Sequence, residues 1–383
     1  MRTLIISDLH LGSSSESDLL RRGELREPLL QLAGEVDRVV LLGDVLELRH
    51  GPLREAMAAA RPFFEALARA LGEREVIVTA GNHDHALVEP WLAARGAEHE
   101  PPRLGVEQLF EPRAASQAMA QIAAWCAPAH VRVAYPGLWL RDDVYAMHGH
   151  YLDCHLTVPT LERLSVAAMS RMLGRPAHTF DSPADYEAIS APVFAWRDAV
   201  ARDAHTGAAL NGMATVNAWS ALRGSTLANG RSASPVRARL AGSLRRRAFR
   251  AAFPVATAVL NRAGLGPLRA TVSPTELRRA GLQAMGEVAE RVGLGDAYVV
   301  FGHTHRAGPF PGDEQSEWRG RGGARLVNAG SWTYAPIFLS ARPGESPYWP
   351  GVCVLVEDDG APQIVRLLQD RTHAQLHPPG KRV

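Results

Sequence analysis

The chain has 383 residues, 46% of them hydrophobic, and a formal net charge of +2, an ordinary globular composition with enough apolar residues for one large core or a core plus a smaller unit. No apolar run approaches the roughly 20 residues that span a membrane, and the opening "MRTLIISD" carries no export signal. Cys126, Cys154 and Cys353 are odd in number and widely spaced, which argues against a disulfide framework or a thiolate zinc site and favours a cytoplasmic protein.

In chain order, "TLIIS", "RVVLL", "EVIVTA" and "DVYAM" are short and rich in Val and Ile, as buried strands are. Between them "DLLRRGELREPLLQLAG" and "REAMAAARPFFEALARALG" repeat apolar residues at helical spacing and end on glycine. This alternation predicts an α/β core over residues 1–150. Residues 151–297 are Ala/Arg-rich and helical in pattern, with 18 arginines against 11 acidic residues, so they read as a basic insertion or cap. The strand pattern returns over 298–369 in "YVVFG", "RLVNAG", "VCVLVE" and "QIVRLL", which predicts a second sheet. A mobile tail is expected over 370–383.

Five strands end alike. "LIISDLH" ends in Asp8 and His10, "VVLLGDVLE" passes through Asp44, "VIVTAGNHD" ends in Asn82, His83 and Asp84, "VYAMHGH" in His148 and His150, and "VVFGHTH" in His303 and His305. The carboxyl ends of strands are where open α/β sheets bind ligands. Mixed carboxylate, imidazole and amide groups suit Mn, Fe, Zn or Co better than Mg, Ca or a thiolate-bound ion. Two divalent ions, with Mn2+ the first choice, can clamp both oxygens of an in-line displacement at phosphorus and generate hydroxide near neutral pH. Asp44, in the middle of the set, is the candidate bridging carboxylate. Asp84 and His150 are candidates for touching substrate or for fixing the tautomer of a ligand.

The ordered series Asp-X-His, Gly-Asp, Gly-Asn-His-Asp, His-Gly-His, Gly-His-Thr-His resembles the calcineurin-like metallophosphoesterases. The resemblance implies a four-layer αββα sandwich with a dinuclear site at its edge. It implies that Asp8, His10, Asp44 and His305 hold one metal and that Asp44, Asn82, His148 and His303 hold the other. It also makes His83 the phosphate-contacting histidine that assists the leaving group, so Asp44, Asn82 and His83 form the expected catalytic set. "SDLHLG", "GDVLE" and "GHTHR" are most similar to the UDP-2,3-diacylglucosamine pyrophosphatases, which also carry a helical cap between the fourth and fifth motifs. "GNHD" and "HGH" depart from the Arg and Asp of those enzymes, and the cap is longer.

The expected activity is hydrolysis of a phosphodiester or pyrophosphate bond in a phosphorylated small-molecule, sugar-nucleotide or lipid-linked substrate. In the insertion, "SPVRARLAGSLRRRAFRAAF" sets Arg245, Arg246 and Arg247 beside Leu and Phe positions, a pattern suited to phosphate, to a membrane surface on the inner face, or to nucleic acid. The alternative function is therefore a nuclease or DNA-repair phosphodiesterase using the same site; a non-catalytic scaffold would be expected to lack ligands. Trp332 and Tyr334, in "NAGSWTY", follow another strand and are candidates either for lining the substrate pocket or for packing in the core.

Overall fold

A computed structural model describes residues 1–97, 99, 102–202, 254–270, 273–340 and 342–377. Its strands are β1 (Thr3–Ile6), β2 (Arg38–Leu42), β3 (Glu75–Thr79), β4 (Glu107–Phe110), β5 (His130–Arg141), β6 (Val144–Met147), β7 (Tyr298–Phe301), β8 (Arg325–Asn328), β9 (Val352–Val356) and β10 (Gln363–Arg366). They follow the order β10-β9-β1-β2-β3-β5-β6-β7-β8, with β4 paired on β5. β1, β2, β3 and β5 run parallel, as do β6, β7 and β8, and the two sets meet at the antiparallel β5–β6 pair.

Period-two alternation assigns each strand residue to a layer. Leu4, Ile6, Val39, Leu41, Val76 and Val78 pack with Leu25, Leu29, Phe63, Phe64 and Ile122 from the helices Gly23–Ala33, Leu53–Leu71 and Gln117–Trp125. Their strand neighbours Ile5, Val40, Leu42 and Ile77 turn the other way and share a cluster with Val144, Ala146, Val300 and Val327 of the second set. Tyr145, Met147, Val299 and Phe301 then face Val166, Ile189, Met285 and Val288 of the insertion helices Leu161–Met172, Pro183–Arg202 and Pro274–Arg291. The result is helix, sheet, sheet, helix, and each fully buried aliphatic or Phe side chain contributes about 1.5–3 kcal/mol.

The two expected sheets are joined rather than separate. β5 pairs with β3 through His130–Val133 and with β6 through Gly137–Arg141, so a single strand serves both halves. The chain end also differs from expectation. Over His373–Leu376 it forms a short helix with a Thr372/Gln375 capping box. Leu376 is buried, and Arg22 donates to the carbonyls of Gln375 and His377 at 2.7 and 3.2 Å. Among the described residues no helix is long and apolar enough to cross a membrane.

Candidate metal centre

The turns after β1, β2, β3, β6 and β7 bring Asp8, His10, Asp44, Asn82, His148, His303 and His305 together. Asp8 Oδ1 lies 3.2 Å from His305 Nε2 and 3.9 Å from His10 Nε2, and these two nitrogens are 3.2 Å apart. Asn82 Oδ1 lies 3.2 Å from His148 Nε2 and 2.9 Å from His303 Nδ1. Asp44 Oδ2 stands between the groups, 3.5 Å from His10 Nε2 and 3.4 Å from His148 Nε2. In each of the sets Asp8–His10–His305 and Asp44–His148–His303 the ligand-type atoms lie within 4.8 Å of one another, as they do in an overlapping set of His10, Asp44 and His83.

The backbone is bent to achieve this. Asp8, His10, Asp44, His303 and His305 have φ of 56°, 46°, 50°, 64° and 57°, the left-handed region, which costs a non-glycine residue about 1 kcal/mol or more. Surrounding bonds hold the strained turns in place. His303 N–H donates to Asp8 Oδ2 at 2.9 Å and His83 N–H to Asp44 Oδ1 at 2.8 Å. A Cβ at Gly81 would collide with Asp44 and His148, and one at Gly302 with Ser7 and Asp8. His303 and His305 lie beyond the end of β7, so their common direction comes from two left-handed turns and not from strand alternation. Thr304 Oγ1 between them accepts from Asn328 at 2.9 Å.

A second ring of partners aims the imidazoles. His10 Nδ1–H donates to Glu47 at 3.0 Å, His148 Nδ1–H to the Leu42 carbonyl at 2.9 Å and His303 Nε2–H to Asp153 at 3.1 Å, while Thr333 Oγ1 bonds His305 Nδ1 at 3.2 Å. In each ring the other nitrogen presents its lone pair to the site. Glu47 also accepts from His83 Nδ1 at 2.9 Å. Glu47, Asp153 and Thr333 are absent from the sequence reading. Of the three, only Glu47 sits inside a motif stretch, three residues after Asp44.

Electrostatics agree with an acceptor-rich cavity. Burial opposes ionisation of Asp8, yet His305 and His10 hold its carboxyl well below the usual range, and His148 does the same for Asp44. In return, against the burial that disfavours its charged form, Asp44 raises His148 to about 9. Without a cation the imidazoles must take up protons to balance the carboxylates. Burial, helped by Arg49, instead pushes His83 down to about 4 against the pull of Glu47. Asp8 Oδ1 is buried with no hydrogen-bond donor. An orphaned carboxylate oxygen among converging nitrogens is a good fit for a divalent cation, which would displace those protons.

The expectations for Asp84 and His150 are corrected, and for Trp332 and Tyr334 the packed alternative is the one observed. Asp84 touches neither substrate space nor a ligand ring; it accepts from the backbone N–H groups of Gly81, Asp44, Val45 and Leu46 at 2.7–3.3 Å and so fastens the turn after β2 to the turn after β3. His150 is buried beside His148 without bonding it, and lies 4.0 Å from Glu187. Glu187, on the insertion helix Pro183–Arg202, accepts from Tyr135 and Tyr151 at 2.5 and 2.6 Å and from His85 at 3.1 Å. Trp332 is a core residue whose Nε1–H donates to the Val352 carbonyl at 2.9 Å. Tyr334 is also packed in that core and bonds His373 at 2.9 Å. Neither aromatic lines a pocket. Arg245, Arg246 and Arg247 lie outside the described residues.

Residues 1–178 match the family model of the calcineurin-like phosphoesterases. Through this segment the chain is similar to the calcineurin-like phosphoesterases. That similarity indicates, in general terms, a metal-dependent phosphoester hydrolase. Asp8, His10, Asp44, Asn82, His83 and His148 fall inside the matched segment, and the fold carries His303 and His305 to the same place from outside it. No curated protein matches the chain.

Proposed function

We propose that the chain hydrolyses a phosphodiester or pyrophosphate bond at a two-metal site, on a sugar-nucleotide or lipid-linked substrate. The observation that supports this best is the sharing of Asp44 between two groups of ligand atoms, one built on Asp8, His10 and His305 and the other on His148, His303 and Asn82. Divalent cations, when bound there, polarise the phosphoryl oxygens and supply a nucleophile from water near neutral pH. Asp44 would keep the two positions close by offering a carboxylate to both. Glu47 would orient His10 and His83 together, because it holds Nδ1 of both rings. His83, neutral in the resting chain and part-exposed at the site's mouth, would gain a proton as a phosphoryl group brings negative charge beside it and pass it to the leaving oxygen.

A hydrolysis screen with added Mn2+ tests this: sugar-nucleotide diphosphates, lipid phosphoesters, an aryl phosphodiester and DNA. Chelator-sensitive turnover of the first three classes is expected. A metal-loaded chain that cleaves none of the four, or a chain that binds no divalent ion, would sink the proposal. DNA alone being cleaved would establish the nuclease alternative instead.

A further inference from the structure

Arg49 lies on the turn after β2, five residues past Asp44, and is only 6% exposed. One of its N–H groups donates to the main-chain carbonyl of Asn82, while its buried Nε–H has no partner. Among the described residues no carboxylate forms an ion pair with it. Its charge acts on His83, and Asp44, Glu162 and Asp198 favour it at longer range while Arg197 opposes it, which puts it between the metal centre and the insertion. Over it stands the ring of Phe194, 5.7 Å from the guanidinium carbon, on the insertion helix Pro183–Arg202. The nearby Arg197 differs: its guanidinium is matched by Glu162 at 3.0 Å.

A buried cation without a paired anion is strongly unfavourable, and a buried donor without an acceptor adds to the penalty. Supporting the Asn82 carbonyl needs one N–H, whereas arginine offers five in a planar fork that matches phosphate. A neutral glutamine would serve the structural purpose with less desolvation.

We propose that Arg49 grips a phosphate oxygen of the substrate, with Phe194 of the insertion set over its guanidinium. This rests on the phosphoesterase reading of the site and names the cation that recognises the phosphate.

The test is calorimetric binding of inorganic phosphate to the full, Mn2+-loaded chain, with metal content and melting temperature measured in parallel. Arg49→Gln, which keeps a donor for Asn82 but loses charge and fork, should weaken phosphate binding about tenfold or more with metal content unchanged. Arg49→Lys should recover part of that loss. Wild-type affinity in Arg49→Gln overturns the inference, and so does loss of metal, which would make Arg49 a support for Asn82 only. If Arg49→Gln does not fold, modification of wild-type Arg49 by phenylglyoxal decides: protection by phosphate is expected, and unprotected labelling refutes the contact. Binding is read without turnover, so a chain that binds phosphate yet hydrolyses nothing counts against the proposed activity and not against Arg49.

Discussion

Two buried polar clusters lie close together in this molecule, and both are rich in histidine and carboxylate. Around Glu187 the chemistry largely balances: one carboxylate receives the protons of Tyr135, Tyr151 and His85, although the ring nitrogens of His150, 4.0 Å away, find no hydrogen-bond partner. At the strand ends it does not, because Asp8, Asp44, the Asn82 oxygen and four ring nitrogens converge with more lone pairs than protons. A buried His/Asp/Glu cluster therefore does not by itself point to a metal; the surplus of acceptors does. One cluster holds the insertion to the core, and the other offers a donor set that could hold a metal ion.

The contrast breaks most sharply at Asp44. Asp44→Asn should reduce phosphodiester hydrolysis about a thousandfold, on the order of 4 kcal/mol, and lower bound metal, while circular dichroism stays native. Chelation should then lower the melting temperature of the wild type and leave that of the variant nearly unchanged. Glu187→Ala should act on the other side of the comparison, costing about 3 kcal/mol of stability by denaturant titration without changing metal stoichiometry.

Glu187 also carries a pH signature. Burial raises its pKa, but His150 and His85 hold it well below the usual 4.5. A carboxylate with a depressed folded pKa stabilises the fold above its unfolded pKa and loses that contribution as pH falls toward the folded value. Glu187→Gln should accordingly flatten the decline of stability below about pH 4.5.

Smaller effects sharpen the comparison inside the metal cluster. His83→Asn should lose about a hundredfold in rate with both metals retained, as judged by elemental analysis; loss of a metal would reassign His83 as a ligand. Thr333→Val should weaken metal binding about tenfold by competition with a chelator, since it removes only the hydroxyl that orients His305.

Sequence reasoning reaches the ligands because each stands at a strand end beside a residue that permits a sharp turn, and all eight strands that it predicts are present. It misses the short β4, and it misses β5, where Pro136 and Gly137 interrupt "HVRVAYPGLWLR" in the middle and erase the strand signal. It misses Asp153 and Thr333 because an orienting partner obeys no spacing rule: it need only arrive within hydrogen-bond reach from some other segment. Arg49 and Glu187 are invisible for a related reason, since what distinguishes them is whether a buried charge finds a counter-charge. For Trp332 and Tyr334 a strand end next to the site leaves the direction of the side chain open, and both turn back into the core. The left-handed conformations of five ligands leave little trace in residue type, since Asp and His adopt them more often than most residues but far less readily than glycine.

β5 sets a mechanical limit on the site. Because this one strand is hydrogen-bonded into both halves of the sandwich, the halves cannot hinge apart like the jaws of a two-domain enzyme without tearing its ladder. The spacing between the Asp8 side and the His148 side is thus built into the sheet, independent of substrate. Whatever movement admits a substrate and releases its products falls to the inserted helices, so turnover is expected to respond to changes in the Pro183–Arg202 helix while the metal positions stay rigid.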